Sequence, residues 1–516
     1  MGKVKSAMER SQKAVVPASD VQTAIGKVQV RWETDSASTP MGQLAYFIEF
    51  LTLTGLMSSW EEDCPLDYQS PNAPSKRDVL GTWMLSILSG HRRYAHVTAI
   101  RGDGVNPELI GMKKVISEDG LRRAIKAIPE EQGVAWMDTH LGASVGPLLD
   151  APWIMDIDTT VKPLFGKQEG SVVGYNPTKP GRPSHSYHTY LMAGMRLVLG
   201  VEVKAGNESS GSQSLPGLLK ILDQLEPEKR PKLVRGDCGF GSDNIMSELE
   251  IQKQPYLFKL RLSKNVKRYI EGIFWKTGWS DAGQGWEGKA GQLQLTGWKD
   301  LRRVVVLRRP LKGEMLIAQE EHGQSFLGFI EADRKTGKRI TGYEYSVLVT
   351  DLDQDILALG QLYRDRGDAE NTFDELKNQW GWGGFTTRDL HRCQLSARAV
   401  ALIYNWWSLF VRLANPRSRL EAITSRPWLM SAIGRKTEHS GQTTLTITGL
   451  HAHFDKAMQT LTKVSALLRT WVVQAAEQIE SLTVWRLCCD YLLLILTGYR
   501  RPKPAKKVEY QAVASG

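Results

Sequence analysis

YRDRGDAENTFDELK, residues 363–377, reads as a charged helix in which one face is unusual. At about 100° per residue, Tyr363, Arg366, Glu370 and Lys377 fall at roughly 0°, −60°, −20° and −40°, a single narrow stripe. Leu362, Ala369, Phe373 and Leu376 form an apolar stripe beside it. An aromatic hydroxyl, two cations and a carboxylate are therefore held in fixed directions at the margin of a buried face. A solvated helix with charge pairs three or four residues apart would use the same residue types. Asp374, one turn beyond Glu370 at nearly the same azimuth, could also stand in its place.

What surrounds this helix separates the two readings. WIMDIDTTV (153–161), SHSYHTYLMAGM (184–195) and RLVLGVEVKAG (196–206) read as three strands, and LPGLLKILDQLE (215–226) as a helix. KLVRGD (232–237) then reads as a strand, SDNIMSELEIQ (242–252) as a helix and PYLFKLRL (255–262) as a strand-like run. After a long interval YSVLVTD (345–351) leads into the quoted helix. That order is the order of a ribonuclease-H-like α/β fold. The interval, with WKTGWSDAGQGWEGKAGQLQLTGW, RRVVVLRR, EMLIAQ and SFLGFIEA, reads as a β-rich insertion. The expected organisation is a mainly helical N-terminal region (1–150), the core in two parts (151–261 and 346–415), the insertion (262–345), and a helical C-terminal region with a basic tail (416–516).

The carboxylates of this order can meet. Asp156 and Asp158 stand at i and i+2 on one face of the first strand. Asp237 ends a strand and is followed by CGFG, a glycine turn that leaves it beside the first strand. Glu370 arrives on the later helix. Three carboxylates from two strands and a helix can hold a pair of divalent ions about 3.5–4 Å apart, which activate a water or a 3′-hydroxyl and stabilise the leaving oxygen of a phosphodiester. Oxygen ligands favour Mg²⁺, with Mn²⁺ as a substitute, over zinc. Arginine and lysine one or two turns from the carboxylate suit phosphate.

The spacing Tyr363-x2-Arg366-x3-Glu370-x6-Lys377 resembles the Y-R-E-K signature of bacterial insertion-sequence DDE transposases. DIDTT, YNPTKPGRPSHSYHTY, VEVKAGN and LVRGDCGFG resemble, in order, the blocks around the first and second aspartates of the DDE group 1 transposases, and YNWWSLFVRLANP resembles the helix after the signature. The resemblance spans about residues 150–412. It implies that Asp158, Asp237 and Glu370 are the catalytic, metal-binding triad, Asp158 with Thr159 and Thr160 fitting the motif better than Asp156. It also implies that Tyr363, Arg366 and Lys377 contact phosphates at the transposon ends. The implied reaction is metal-dependent cutting at the ends of an element, followed by attack of the freed 3′-hydroxyl on target DNA, within a dimer that holds two terminal inverted repeats. Some members use a DNA hairpin intermediate in which a tryptophan of the insertion holds a flipped base.

Whole-chain properties agree. The 516 residues, 41% hydrophobic and 24% charged, have a soluble globular composition and exclude a disordered or fibrous chain. The net charge of +10 suits double-stranded DNA as partner. Five cysteines without a C-x-x-C pair suggest a reducing cytoplasm, where a bacterial protein of this kind would associate with the nucleoid. MGKVKSAMERSQKAVV has no apolar core of signal-peptide length, and YLLLILTGY is too short to span a bilayer, so no membrane association is expected.

Several secondary signals have two readings each. Lys113, Lys114, Arg122, Arg123 and Lys126, near a helix that Ser117 would cap, form either a solvated face or a DNA contact. Arg182 and His185, with His188, fit backbone contacts, although a histidine on a strand is commonly a structural hydrogen-bond partner. Trp275, Trp279, Trp286 and Trp298 fit the core of the insertion, and Trp298 is also the candidate for base stacking. Trp406 and Trp407 would pack their helix onto the sheet. The tail RRPKPAKK either helps hold DNA or is solvated. The alternatives to a transposase are a metal-dependent nuclease on the same scaffold and a DNA-binding descendant that no longer cuts.

Overall fold

A computed structural model describes residues 18–33, 36–68, 70, 72–176, 179–310, 342–385, 387–477 and 483–502. The N-terminal region contributes helices α1 (Leu44–Thr54), α2 (Lys76–Leu88), α3 (Glu118–Ala127) and α4 (Glu130–Val145). Serines set two of their starts, as N-caps do. Ser75 accepts the amide of Asp78, and Ser117 that of Gly120, each at 3.0 Å. The buried Asp78 also accepts the amide of Lys113 at 2.7 Å, which ties the basic stretch between α2 and α3 to the helix core.

A ten-stranded sheet follows. Its strands are β1 (Ile154–Pro163), β2 (Val172–Val173), β3 (Pro183–Met192), β4 (Leu197–Ala205), β5 (Leu233–Gly236), β6 (Tyr256–Lys259), β7 (Ser280–Gly283), β8 (Trp286–Leu293), β9 (Arg302–Pro310) and β10 (Tyr343–Thr350). Across the sheet they run β7-β8-β9-β10-β6-β5-β1-β3, with β2 and β4 both against β3. β1, β5 and β6 are parallel, whereas β3 and β4 form an antiparallel meander from β1. Parallel neighbours need crossovers, and helices α5 (Gly211–Gln224) and α6 (Asp243–Ile251) fill the connections into β5 and β6. Burial on both faces explains the apolar runs of β4 and β5.

Past α7 (Lys264–Phe274), the segment read as an insertion continues this sheet. β7 to β10 are antiparallel in sequence order, and β10 closes on β6 through Leu348 opposite Lys259. EMLIAQ and SFLGFIEA fall outside the described residues. The helix quoted above is also two helices, α8 (Ile356–Arg364) and α9 (Gly367–Gln379). At the join, the amides of Arg366, Asp368 and Ala369 each bond three residues back, and Gly367, a weak helix former, begins the second helix.

Helix α10 (Leu390–Ala414) runs against β4 and α4. β4 is a sheet edge, and the buried Asn405 covers it: its Oδ1 accepts the Val198 amide at 2.9 Å and its Nδ2 donates to the Val198 carbonyl at 2.7 Å. Trp406 and Trp407 turn toward the N-terminal helices, edge-on to Trp60 and Phe47 at 5.6 and 5.2 Å. The C-terminal region holds α11 (Phe454–Glu477) and α12 (Val484–Thr497). Two hairpins interrupt the expected helical ends of the chain. Gly434–His439 pairs with Gln442–Ile447 and with Ser38–Thr39, and Ala18–Thr23 pairs with Gly26–Arg31. Beyond residue 502, the tail lies outside the described residues.

Candidate active site

The register of three parallel strands builds the site. Ile157 of β1 pairs with Gly236, the last residue of β5, so Asp158, midway along β1, and Asp237, just past the end of β5, stand side by side, on strands about 4.8 Å apart. Asp237 is turned by its own loop, its Oδ1 accepting the Gly239 amide at 2.9 Å. Asp158 Oδ1 accepts the Thr159 amide and its Oδ2 the Arg366 guanidinium, each at 2.7 Å. Arg366 is buried at the join of α8 and α9, and its Nη1 lies 3.5 Å from Glu370 Oε1. The Glu370 side chain is 72% exposed. Burial pushes the Asp158 carboxyl up to about 6; Arg366 opposes this, while the charges of Asp237 and Glu370 add to it. All three carboxylates therefore share one electrostatic neighbourhood.

Asp156, two residues before Asp158, is engaged elsewhere. Its two oxygens meet Arg235 Nε and Nη2 at 2.7 and 2.8 Å, a bidentate pair in which both partners are buried. Arg235 also donates to the carbonyl of Leu362. Asp156 thus locks β1 to β5 and, through Arg235, to the end of α8. Arg235 was not singled out in the sequence, although an arginine inside the apolar LVRG strand is the kind of residue that needs a buried acidic partner.

The other residues of the stripe line the approaches. Tyr363 borders a pocket of about 290 Å³ with Lys259, Trp286, Tyr345, Arg366 and Glu370. Lys377 lies on the opposite side, half-buried, with its pKa lowered by burial against the pull of Asp158 and Asp374. Asp374 itself accepts the Asn378 side chain at 2.7 Å. Arg182 stacks its guanidinium 4.7 Å from the ring centre of Phe165. His185 is buried, its Nε2 on the Glu169 carbonyl at 2.7 Å. Trp298 lies under Arg302 at 5.4 Å, at the end of β9 away from the carboxylates, since Val304 reaches their level through Val349 and Phe258. Trp279 and Trp286 lie under arginines too, Arg308 at 3.7 Å and Arg309 at 4.8 Å, and Trp275 is exposed.

His188 supports the loop beside Asp158. Its Nε2 meets the Glu208 carbonyl at 2.6 Å and its Nδ1 faces Thr159 Oγ1 at 3.2 Å, a pattern that suits the neutral ring. Burial lowers its pKa to about 4. Protonation then favours the unfolded chain, so stability is present above the unfolded value near 6.5 and lost as pH falls toward 4, by about 2 kcal/mol at pH 5. Urea unfolding at pH 7 and pH 5 should show this loss, and His188→Leu should shrink it.

The donor chemistry suits a hard divalent cation, since Asp158, Asp237 and Glu370 offer carboxylate oxygens. Among the described residues, however, no three such side chains are gathered closely enough to hold a metal ion. Arg366 stands between two of them.

Residues 150–406 match the family model described as a transposase DDE domain, which supports a DDE transposase. Such a domain implies an enzyme of the transposase kind, which cuts and joins DNA, and the family generally uses divalent metal ions. No curated protein matches the chain. Among solved structures it is similar to a piggyBac transposase synaptic complex with hairpin DNA, at 11% identity over 93% of this chain and 91% of that one, with a TM-score of 0.37. No helix among the described residues is long and apolar enough to cross a membrane.

Proposed function

We propose that this chain is the transposase of an insertion sequence, built on a ribonuclease-H-like core, which cuts at terminal inverted repeats and joins the freed 3′-hydroxyl ends to target DNA. One observation carries the reading: Asp158 and Asp237 are neighbours where the parallel pairing of β1 with β5 ends, while Arg366 and Glu370 come over them from a broken helix. The strand order β4-β3-β1-β5-β6, with β1, β5 and β6 parallel, supports the core assignment.

Asp158, Asp237 and Glu370 would hold the divalent ions, Mg²⁺ or Mn²⁺, which supply activation of the attacking oxygen and stabilisation of the leaving one. Arg366 neutralises Asp158 in the free protein, and its Nε has no hydrogen-bond partner among the described residues. A phosphate oxygen would give that buried donor its partner. Tyr363 and Lys377 flank the carboxylates on opposite sides, suited to the strand on either side of the cut bond. Arg182 adds a cation farther out, while His185 contributes through the backbone it holds. The basic stretch of the helical N-terminal region is assigned to DNA, and the helical C-terminal region to pairing of two copies in a synaptic complex.

The test is made on a plasmid carrying the gene with its native flanks, incubated with purified protein and Mg²⁺. Excised element together with products joined to a target plasmid is the expected result. Cleavage without joining would favour a nuclease, and binding without cleavage a descendant that no longer cuts.

A further inference from the structure

On the far side of Lys377 from the carboxylates lies a pocket of about 310 Å³ whose lining holds Arg92, Lys162, Lys179 and Lys377 and no acidic residue. Lys162 is its floor. It follows Asp158 and Thr160 on the same face of β1, about 13 Å along the strand from Asp158. The side chain is 7% exposed, and its ammonium bonds only to neutral groups, the Gly384 carbonyl at 2.7 Å and the Tyr187 hydroxyl at 3.2 Å. No carboxylate pairs with it among the described residues, and burial lowers its pKa to about 8. A buried ammonium without a counter-charge is costly unless an anion visits it.

Arg92 is held at the rim by the fold. Its carbonyl accepts the Phe385 amide at 2.8 Å, its guanidinium bonds to the Asn378 carbonyl, and a Cβ on Gly384 would come within 1.8 Å of its carbonyl oxygen. Only glycine permits that approach, so the turn after α9 and the loop after α2 build the pocket together. On the opposite rim Phe165 is 72% exposed, and Lys179 lies 5.1 Å from its ring centre.

We propose that this pocket binds a backbone phosphate of the DNA strand in the active site, a few nucleotides from the cut bond, with Lys162 as its buried cation and Arg92 and Lys179 at the rim. The distance from Asp158 suits that offset, at about 3.4 Å of rise per nucleotide. The inference rests on the DNA-cutting function proposed above. It also makes the N-terminal region part of the active-site cleft rather than a separate DNA-reading module.

Full-length wild type, Lys162→Met and Lys179→Gln are compared on a synthetic duplex from the DNA bordering the gene, with single neutral methylphosphonates scanned along the strand. Wild type should lose affinity at one position a few nucleotides from the cut. Lys162→Met should bind about tenfold more weakly, with a salt slope smaller by about 0.9, and be indifferent to that position alone. Lys179→Gln, at the rim where folding is not at risk, should lose part of the same sensitivity. A Lys162→Met protein that melts like wild type and keeps the whole methylphosphonate profile overturns the inference. So does millimolar inorganic phosphate that raises the melting temperature of wild type alone while DNA binding is equal in both, because the ligand is then the free ion. Wild type that neither binds nor cuts the duplex removes the functional reading itself.

Discussion

Under the proposed function, Glu370→Gln is expected to lower excision of the element by about 10³-fold, because losing a charge that would bind metal forfeits several kcal/mol of transition-state stabilisation. The substitution keeps the side chain's size and leaves folding alone: Glu370 is largely exposed and touches the rest of the protein through Arg366 at 3.5 Å. The readout is the count of donor junctions rejoined across the lost element, in cells carrying the gene with its flanks, normalised to protein level. Asp158→Asn and Asp237→Asn should fall as far. Asp374→Asn should retain most activity, since the Asp374 carboxylate is bonded to Asn378 one turn away. Equal excision by Glu370→Gln and wild type would remove Glu370 from the site, and a collapse with Asp374→Asn instead would move the assignment by one turn.

Asp156 should fail in a different way from Asp158. Breaking the buried pair with Arg235 by Asp156→Ala leaves a guanidinium without its counter-charge at 2% side-chain exposure, a change worth about 3–5 kcal/mol. Urea unfolding should show the loss at neutral pH with no metal or DNA present. Arg235→Met should cost a similar amount, and Asp156→Leu combined with Arg235→Met should recover much of it, because an apolar pair of similar volume needs no counter-charge. Asp158→Asn should cost less stability, because Arg366 keeps Glu370 at 3.5 Å, and under the proposed function it should remove activity. An Asp156→Ala protein as stable as wild type would overturn the structural role given to this pair.

The sequence by itself determined most of the core. Alternating and apolar runs bounded by glycine and proline marked the strands β1, β3, β4, β5 and β6 and the helices α5 and α6, though not the two-residue β2, and those strands carried Asp158 and Asp237 to where the parallel pairing of β1 and β5 ends. Such patterns are local, and the side-chain periods of strand and helix make them readable without neighbours. The Y-R-E-K spacing likewise marked Tyr363, Arg366, Glu370 and Lys377, although the helix wheel treated as continuous a segment that turns at residues 365–367.

Only the tertiary structure decided the rest. That Asp156 belongs to Arg235, that β7 to β9 extend the main sheet, that Trp406 and Trp407 face the N-terminal helices, and that Lys162 and Arg92 line one pocket with Gly384 against both rest on contacts between residues far apart in the chain. Two aspartates at i and i+2 are equivalent to any periodic reading. What distinguishes them is what each meets, the buried Arg235 guanidinium for Asp156, and for Asp158 the end of the parallel pairing beside Asp237, and pairing across the sheet is set by packing rather than by local propensity.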